Sequence, residues 1–381
     1  MNILFILGKM HNYAGMERIF TTKMNYLATS TDFSVAFMTY EQGDVKLPFK
    51  LNDNITYYNC NAPIANREQF SFKTWIPQFL KTKQIFKKNL CSVLQKQNPD
   101  IVICTTYSFD ILNTIITCCK QQGKKLIIES HVEASTILIS AKNKYNKYLY
   151  RLSLLYDSYI LKHIRKADCI ITLTHNDAAF FKKHNNNVEV IPNILTINPI
   201  KVKDYNIKNV IAAGRYSYQK GFDMLIKAWS IVALQHNDWS LNIWGNGDFT
   251  EYKALAEKLG VYDSIFFNHA TTNIAKEFSN SSIFVLSSRY EGFGLVLTEA
   301  MSCGLPCIAF DCPYGPSEII KNNIDGILVK NQDINQLASE LSNMMDNVAK
   351  RKEIGEQAAI NVQRFSATNI MKTWINLLNN L

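Results

Sequence analysis

The feature that most restricts this chain is a pattern that runs once and then starts again. Short, near-continuous apolar runs alternate with longer amphipathic stretches. NILFIL, FSVAFMTY, DIVICTT, KLIIESH, CIITLT and VEVIPN fall in the first half, and NVIAAGR, SLNIWG, SIFFNH, SIFVLSS, PCIAFD and GILV in the second. Such runs suit parallel strands whose sheet is covered by helices on both faces. Stretches such as ERIFTTKMNYLATS and ILNTIITCCKQQG supply the covering helices. Between the two series, IPNILTINPIKVKDYN holds two prolines and several turn formers and reads as a linker. The expected class is α/β, with two doubly wound domains, 1–197 and 198–365, facing a central cleft and ligands bound at the carboxyl ends of their strands. A length of 381 residues also exceeds what one ordinary core accommodates. The last segment, 366–381, opens with Ser366 as a helix cap and carries Ile370, Trp374, Ile375 and Leu378 at helical spacing. It needs an apolar surface to dock on, and the N-terminal domain is the candidate.

Composition narrows the class of function. No run approaches the roughly 18 apolar residues of a membrane span. The opening MNILFILGKMHNYAG lacks a basic region and a small-residue cleavage site, so it reads as a buried strand and not as a signal peptide. The nine cysteines are odd in number and scattered, and Cys303, Cys307 and Cys312 match no usual zinc spacing. Reduced thiols in a cytoplasmic protein are expected.

Charge is uneven. Residues 1–197 carry 24 Lys and Arg against 14 Asp and Glu, whereas 198–381 carry 17 against 18. The first half therefore suits an anionic partner. FSFKTWIPQFLKTKQIFKKNL mixes Phe72, Trp75, Phe79 and Phe86 with Lys81, Lys83, Lys87 and Lys88, and KNKYNKYLYRLSLLYDSYILKHIRK is similar. An exposed surface of that kind would dock on an anionic cytoplasmic membrane leaflet. If the aromatics are core, only the lysines remain. Pro77 speaks against one unbroken helix through the first segment. Nucleic acid is the competing partner, but the restarted βα pattern and the lack of a long basic run point away from it.

Four constellations fall at predicted strand ends. In SSRYEGFGLVLTEAMSCG, a strand is followed by Glu291, Gly292, Phe293 and Gly294, and then by a helix that starts near Leu295 and carries Glu299. Glycines admit a ligand close to the backbone, and a helix start offers unpaired N–H groups to an anion. Glu291 can accept from hydroxyls beside that anion, and Glu299 from a vicinal diol such as a ribose. An anion, a diol and further hydroxyls together describe a nucleotide-sugar. In NVIAAGRYSYQKGFDM, Arg215 and Lys220 follow a strand and suit a diphosphate leaving group. Gly15, before a helix with Glu17, marks the first strand–helix turn, where phosphate or acceptor is held in such folds. His131 ends a strand in IIESH and could donate to a sugar hydroxyl or act as acid or base. Gly245 and Gly247 in IWGNGDF are placed for a base pocket, on a weak motif. No D-x-D pair, P-loop or G-x-S-x-G elbow occurs.

Glu291-x7-Glu299, the GR…QKG cluster and the turn at Gly15 resemble glycosyltransferase family 4, most strongly from Asn209 to Val329. The resemblance implies the GT-B fold of two Rossmann-like domains and a retaining transfer that needs no metal or cofactor. It also implies roles. Glu291 through Leu295 hold the donor hexose, Glu299 the ribose, and Arg215 with Lys220 the diphosphate, while His131 touches the donor sugar near the reaction centre. AFDCPYGPSEII is similar to bacterial enzymes that use UDP-linked hexoses or N-acetylhexosamines to build lipid-linked oligosaccharides and surface polysaccharides. Two departures stand out: Ala14 precedes Gly15 where the family often pairs glycines, and Ile194 follows Asn193 where it often has glycine. An epimerase or phosphorylase of the same fold is the neighbouring alternative.

Overall fold

The structure is a computed structural model that describes residues 1–11, 15–62, 72–105, 109–131 and 147–381. Ala14, Trp75's side chain and the stretch 132–146 lie outside the described residues. The chain divides into two compact units. One comprises Met1–Ile191 with Met371–Leu381, and the other Pro192–Ile370.

The first unit is built on a seven-stranded sheet. Its strands are β1 (Asn2–Leu7), β2 (Ser34–Thr39), β3 (Thr56–Asn59), β4 (Ile101–Cys104), β5 (Lys125–Glu129), β6 (Cys169–Thr172) and β7 (Val188–Val190). They pair in parallel in the order β3-β2-β1-β4-β5-β6-β7. The order reverses between β1 and β4, which makes their carboxyl ends the natural ligand site of this sheet. Every apolar run named above for this half is one of these strands. The unforeseen member is β3, a half-exposed edge strand with no apolar run to announce it.

Helices cover the sheet: α1 (Gly15–Ser30), α2 (Phe72–Gln97), α3 (Phe109–Gln121), α4 (Lys147–Ile164) and α5 (His175–Phe181). Helix α2 runs straight through Pro77, contrary to expectation. Pro77 sits in the second turn and is exposed, so its missing N–H costs one hydrogen bond near the helix start and leaves the next twenty residues free to propagate. Phe86 is core, fully buried, whereas Lys81, Lys87 and Lys88 are exposed. In α4 one face is open: Leu155 is 71% exposed, beside Leu154, Tyr159, Arg151 and Lys162. No helix among the described residues is long and apolar enough to cross a membrane.

The second unit holds six parallel strands, β8 (Asn209–Ala213), β9 (Ser240–Gly245), β10 (Ile265–His269), β11 (Ile283–Leu286), β12 (Cys307–Asp311) and β13 (Ile327–Lys330), in the order β10-β9-β8-β11-β12-β13. All six match the apolar runs of the second series. Here the order reverses between β8 and β11. Of the helices in this unit, α6 (Phe222–Val232) and α9 (Leu295–Ser302) follow those two strands. The core beneath them includes Trp229, Leu241, Ile243, Ile308 and Phe310, all essentially inaccessible. The closing helix, α13 (Ala367–Asn380), buries Met371, Trp374 and Leu378. None of the nine cysteines is in a disulfide, and eight are buried.

Candidate active site

In the second unit the two strands that flank the reversal of order deliver the candidate residues. Strand β8 leads into Arg215 and Lys220, and β11 leads into Ser287–Gly294. Parallel pairing of β8 with β11 brings these two loops side by side. The result is a direct contact that spacing alone does not reveal: Lys220 Nζ donates to Glu291 Oε1 at 2.6 Å. Ser288 Oγ donates to the same oxygen, also at 2.6 Å. Glu291 is buried at 6% exposure, so both partners are needed to offset its lost hydration. Its negative charge is felt by Cys312, whose thiol is pushed up to about 12, first by burial and then by Glu291.

Glycines make this approach possible. The stem of Lys220 runs over Gly214, where an added Cβ would lie 3.0 Å from two of its methylenes. Gly221 has φ +62° and caps α6, and a Cβ there would come within 2.1 Å of the Ser287 carbonyl oxygen. Gly221→Ala is therefore expected to cost roughly 2–4 kcal/mol of stability, combining left-handed strain with backbone overlap. A urea unfolding curve within about 0.5 kcal/mol of the parent would contradict this packing.

A second set of contacts braces the two loops. Arg289 forms a bidentate pair with Asp223 (2.8 and 2.7 Å), donates to the Tyr218 carbonyl at 2.7 Å and lies 4.0 Å over the Tyr218 ring. Burial would raise the Asp223 carboxyl, but hydrogen bonds and charge from Arg289 outweigh it and hold it below the usual range. Gln219 joins the same lattice, donating to the Tyr290 carbonyl at 3.1 Å. Arg215 is exposed and touches Gln219 at only 3.5 Å. It is thus the outer cation and Lys220 the inner one.

The run Glu291–Leu295 turns into α9 through Gly294, which has φ +99°. Phe293 does not present its ring to a ligand. The ring is buried, edge-on to Phe365 at 5.4 Å, so only its backbone can serve. Gly315 packs under this turn, where a Cβ would meet the Phe293 carbonyl at 2.6 Å and Glu291 Cβ at 3.0 Å. Glu299 lies in the second turn of α9 and is half-buried. Gly245 and Gly247 are explained by packing. Their turn lies against the 214–216 backbone so closely that a Cβ on Gly245 would overlap the Gly214 carbonyl, and one on Gly247 would meet the Tyr216 oxygen at 3.0 Å.

Gly15 and His131 belong to the first unit. Gly15 is the first residue of α1. His131 follows β5, its side chain 5% exposed, with Nε2 3.0 Å from Glu129 Oε1. That contact is close but not in line with the ring N–H: among the described residues neither His131 Nε2 nor Glu129 Oε2 has a hydrogen-bond partner. Glu129 also pairs with Lys23 of α1. Sequence reading missed Ser288, Arg289, Asp223, Gly315, Lys23 and Glu129. Each is a buried or braced polar group, or a glycine, whose purpose only the fold reveals.

Residues 196–360 match the model for glycosyl transferases group 1. The matched span contains Arg215, Lys220, Glu291 and Glu299. The chain is 29% identical over 219 residues to an uncharacterized glycosyltransferase of Haemophilus influenzae, covering 56% of this chain and 62% of that protein. It is 27% identical to the amylovoran biosynthesis glycosyltransferase AmsD of Erwinia amylovora, over 99% of both chains. The solved structure of Anabaena Alr3699/HepE in complex with UDP and glucose superposes with a TM-score of 0.72, at 19% identity and complete coverage of both. The fold is GT-B, two Rossmann-like sheets with interleaved helices.

Proposed function

We propose that this chain is a retaining, metal-independent glycosyltransferase. It moves a hexose or N-acetylhexosamine from a UDP-sugar to a glycan or lipid-linked acceptor in surface polysaccharide synthesis. The observation that carries this reading is the Lys220–Glu291–Ser288 cluster beside the start of α9, between the strands that flank the sheet reversal. One cation and one carboxylate at a helix start can hold the two sides of a glycosyl phosphate at once. Lys220 and Arg215 stabilise the charge that grows on the departing diphosphate. Glu291 and the backbone N–H groups to Leu295 take the sugar, and Glu299 the ribose. Of Phe293 only the backbone takes part. The two glutamates are not an acid/base pair flanking one bond, as hydrolysis would need. They grip opposite ends of one donor, and the leaving phosphate takes the acceptor's proton. His131, which follows β5, is taken as a residue of the transfer reaction. UDP as the nucleotude part is supported by what HepE binds, and polysaccharide as the product class by the name of the AmsD relative.

Thermal melting with UDP, GDP, ADP or NAD, in the presence of a chelator, tests the donor. A ligand that binds only the folded chain raises the midpoint. UDP is expected to raise it, and Glu299→Ala to remove the shift. A GDP-specific shift would change the donor, and a shift that needs a divalent ion would overturn metal independence.

The same reading places the enzyme on the cytoplasmic face of a membrane, held by the open face of α4 and the lysines of α2. Leu154, Leu155 and Tyr159 between Arg151 and Lys162 combine apolar area with positive charge. Flotation with phosphatidylglycerol vesicles but not phosphatidylcholine vesicles is expected, weakened in Arg151→Glu plus Leu155→Glu. Equal flotation with both vesicles would remove the electrostatic part of the argument.

A further inference from the structure

His131 does not stand alone. Glu129 and His131 are two residues apart at the end of β5 and so project to the same side, and Ser130 between them is anchored by its N–H to the Ile171 carbonyl at 2.8 Å. On that side Lys23 of α1 pairs with Glu129, both nearly inaccessible. Lys23 Nζ sits 4.0 Å from the ring centre of Trp374 in α13 and 5.0 Å from that of Phe20. Phe20 in turn lies 5.0 Å from the His131 ring. A buried ion pair is costly to keep and is no gain over a well-packed apolar pair. Its presence beneath a strand-end histidine calls for another use.

We propose that Glu129, fixed by Lys23 and through it by Trp374 of the closing helix, is the positioning residue that sets the tautomer and orientation of the His131 imidazole. This rests on the reading that His131 serves the transfer. Nε2 lies 3.0 Å from Glu129 Oε1, so a small rotation of the ring brings Nε2–H into line with the carboxylate and leaves Nδ1 as the acceptor nitrogen. The ring then meets a sugar or acceptor hydroxyl as a base or acceptor and not as a donor. The closing helix thereby becomes part of the site's support: its Trp374 holds the cation that holds the carboxylate.

The double variant Lys23→Met with Glu129→Leu separates this role from a structural one. It removes both charges together, so the protein is expected to fold with a melting midpoint close to the parent's. Nitrogen-15 spectra of the imidazoles in mildly alkaline buffer, with the His131 signal assigned by its loss in His131→Asn, report the tautomer. The parent is expected to show a single Nε2–H form, and the double variant a mixture. UDP release from UDP-glucose or UDP-N-acetylglucosamine is expected to fall on the order of 100-fold, the cost of a misplaced catalytic group. An unchanged imidazole signal, or an unchanged rate, in the folded double variant overturns the proposal. Where neither donor is turned over, the imidazole signal decides. Full activity in His131→Asn would instead show that His131 has no part in the reaction, and the positioning role would fall with that reading. Loss of activity in His131→Asn beside a fully active double variant would sink the positioning role alone.

Discussion

Sugar transfer is expected to fall on the order of 1,000-fold in kcat/KM when Arg215 and Lys220 are both replaced by alanine, since single preorganised donors are worth about 100- to 1,000-fold. The two cations should not contribute equally. Arg215 is exposed and holds one long contact, so Arg215→Ala should leave stability within about 0.5 kcal/mol and show its whole effect in turnover. Lys220 is largely buried against Glu291. On the proposed mechanism, removing it takes the cation from the departing diphosphate, and it also leaves the Glu291 carboxylate buried with Ser288 Oγ still donating to it at 2.6 Å. Lys220→Ala should therefore lose both activity and stability. Steady-state kinetics beside urea unfolding would separate the two. A fully active double variant would remove the diphosphate role from this pair.

The difference in burial between the two cations could not be read from the sequence, although their position after a strand could. The repeated strand pattern was legible because parallel strands buried on both faces must be apolar throughout, and all six runs of the second series became strands. The edge strand Thr56–Asn59 was not, because half of it faces outward and tolerates polar residues. Pro77 misled for a local reason: its rule concerns one lost hydrogen bond, and near a helix start the rest of the helix outweighs it. Glu291 and Lys220 were each recognisable at strand ends, but their mutual contact joins positions 71 residues apart and needs the β8–β11 pairing. Gly245 and Gly247 carry a second reason that the sequence did not show: the backbone of residues 214–216 packs so close that neither position has room for a Cβ. Lys23 left no trace at all, since a lysine in an amphipathic helix normally marks the solvent face.

Lys23 carries the second large expectation, and it concerns stability as a function of pH. In the folded chain, burial pushes the Glu129 carboxyl up, but Lys23 of α1 and His131 of its own strand end outweigh this and hold it down to about 2, against an ordinary value of 4.5. A carboxyl lowered on folding contributes stability that is present above its unfolded value and lost as pH falls from 4.5 towards 2. Lys23→Met inverts that sign. The carboxylate would remain buried with, among the described residues, only His131 facing it, its folded value would rise above the unfolded one, and near neutral pH the variant should lose roughly 3–5 kcal/mol. The deficit should then shrink as the pH falls and the carboxyl takes up a proton, because the neutral acid is cheaper to bury. Urea unfolding of parent and variant across the acid range checks this. A gap that is constant with pH, or a neutral-pH loss below about 1 kcal/mol, would mean that Lys23 does not hold the charge on Glu129. If the single variant fails to fold near neutral pH, adding Glu129→Leu should restore folding, because it removes the charge that had been left without its partner.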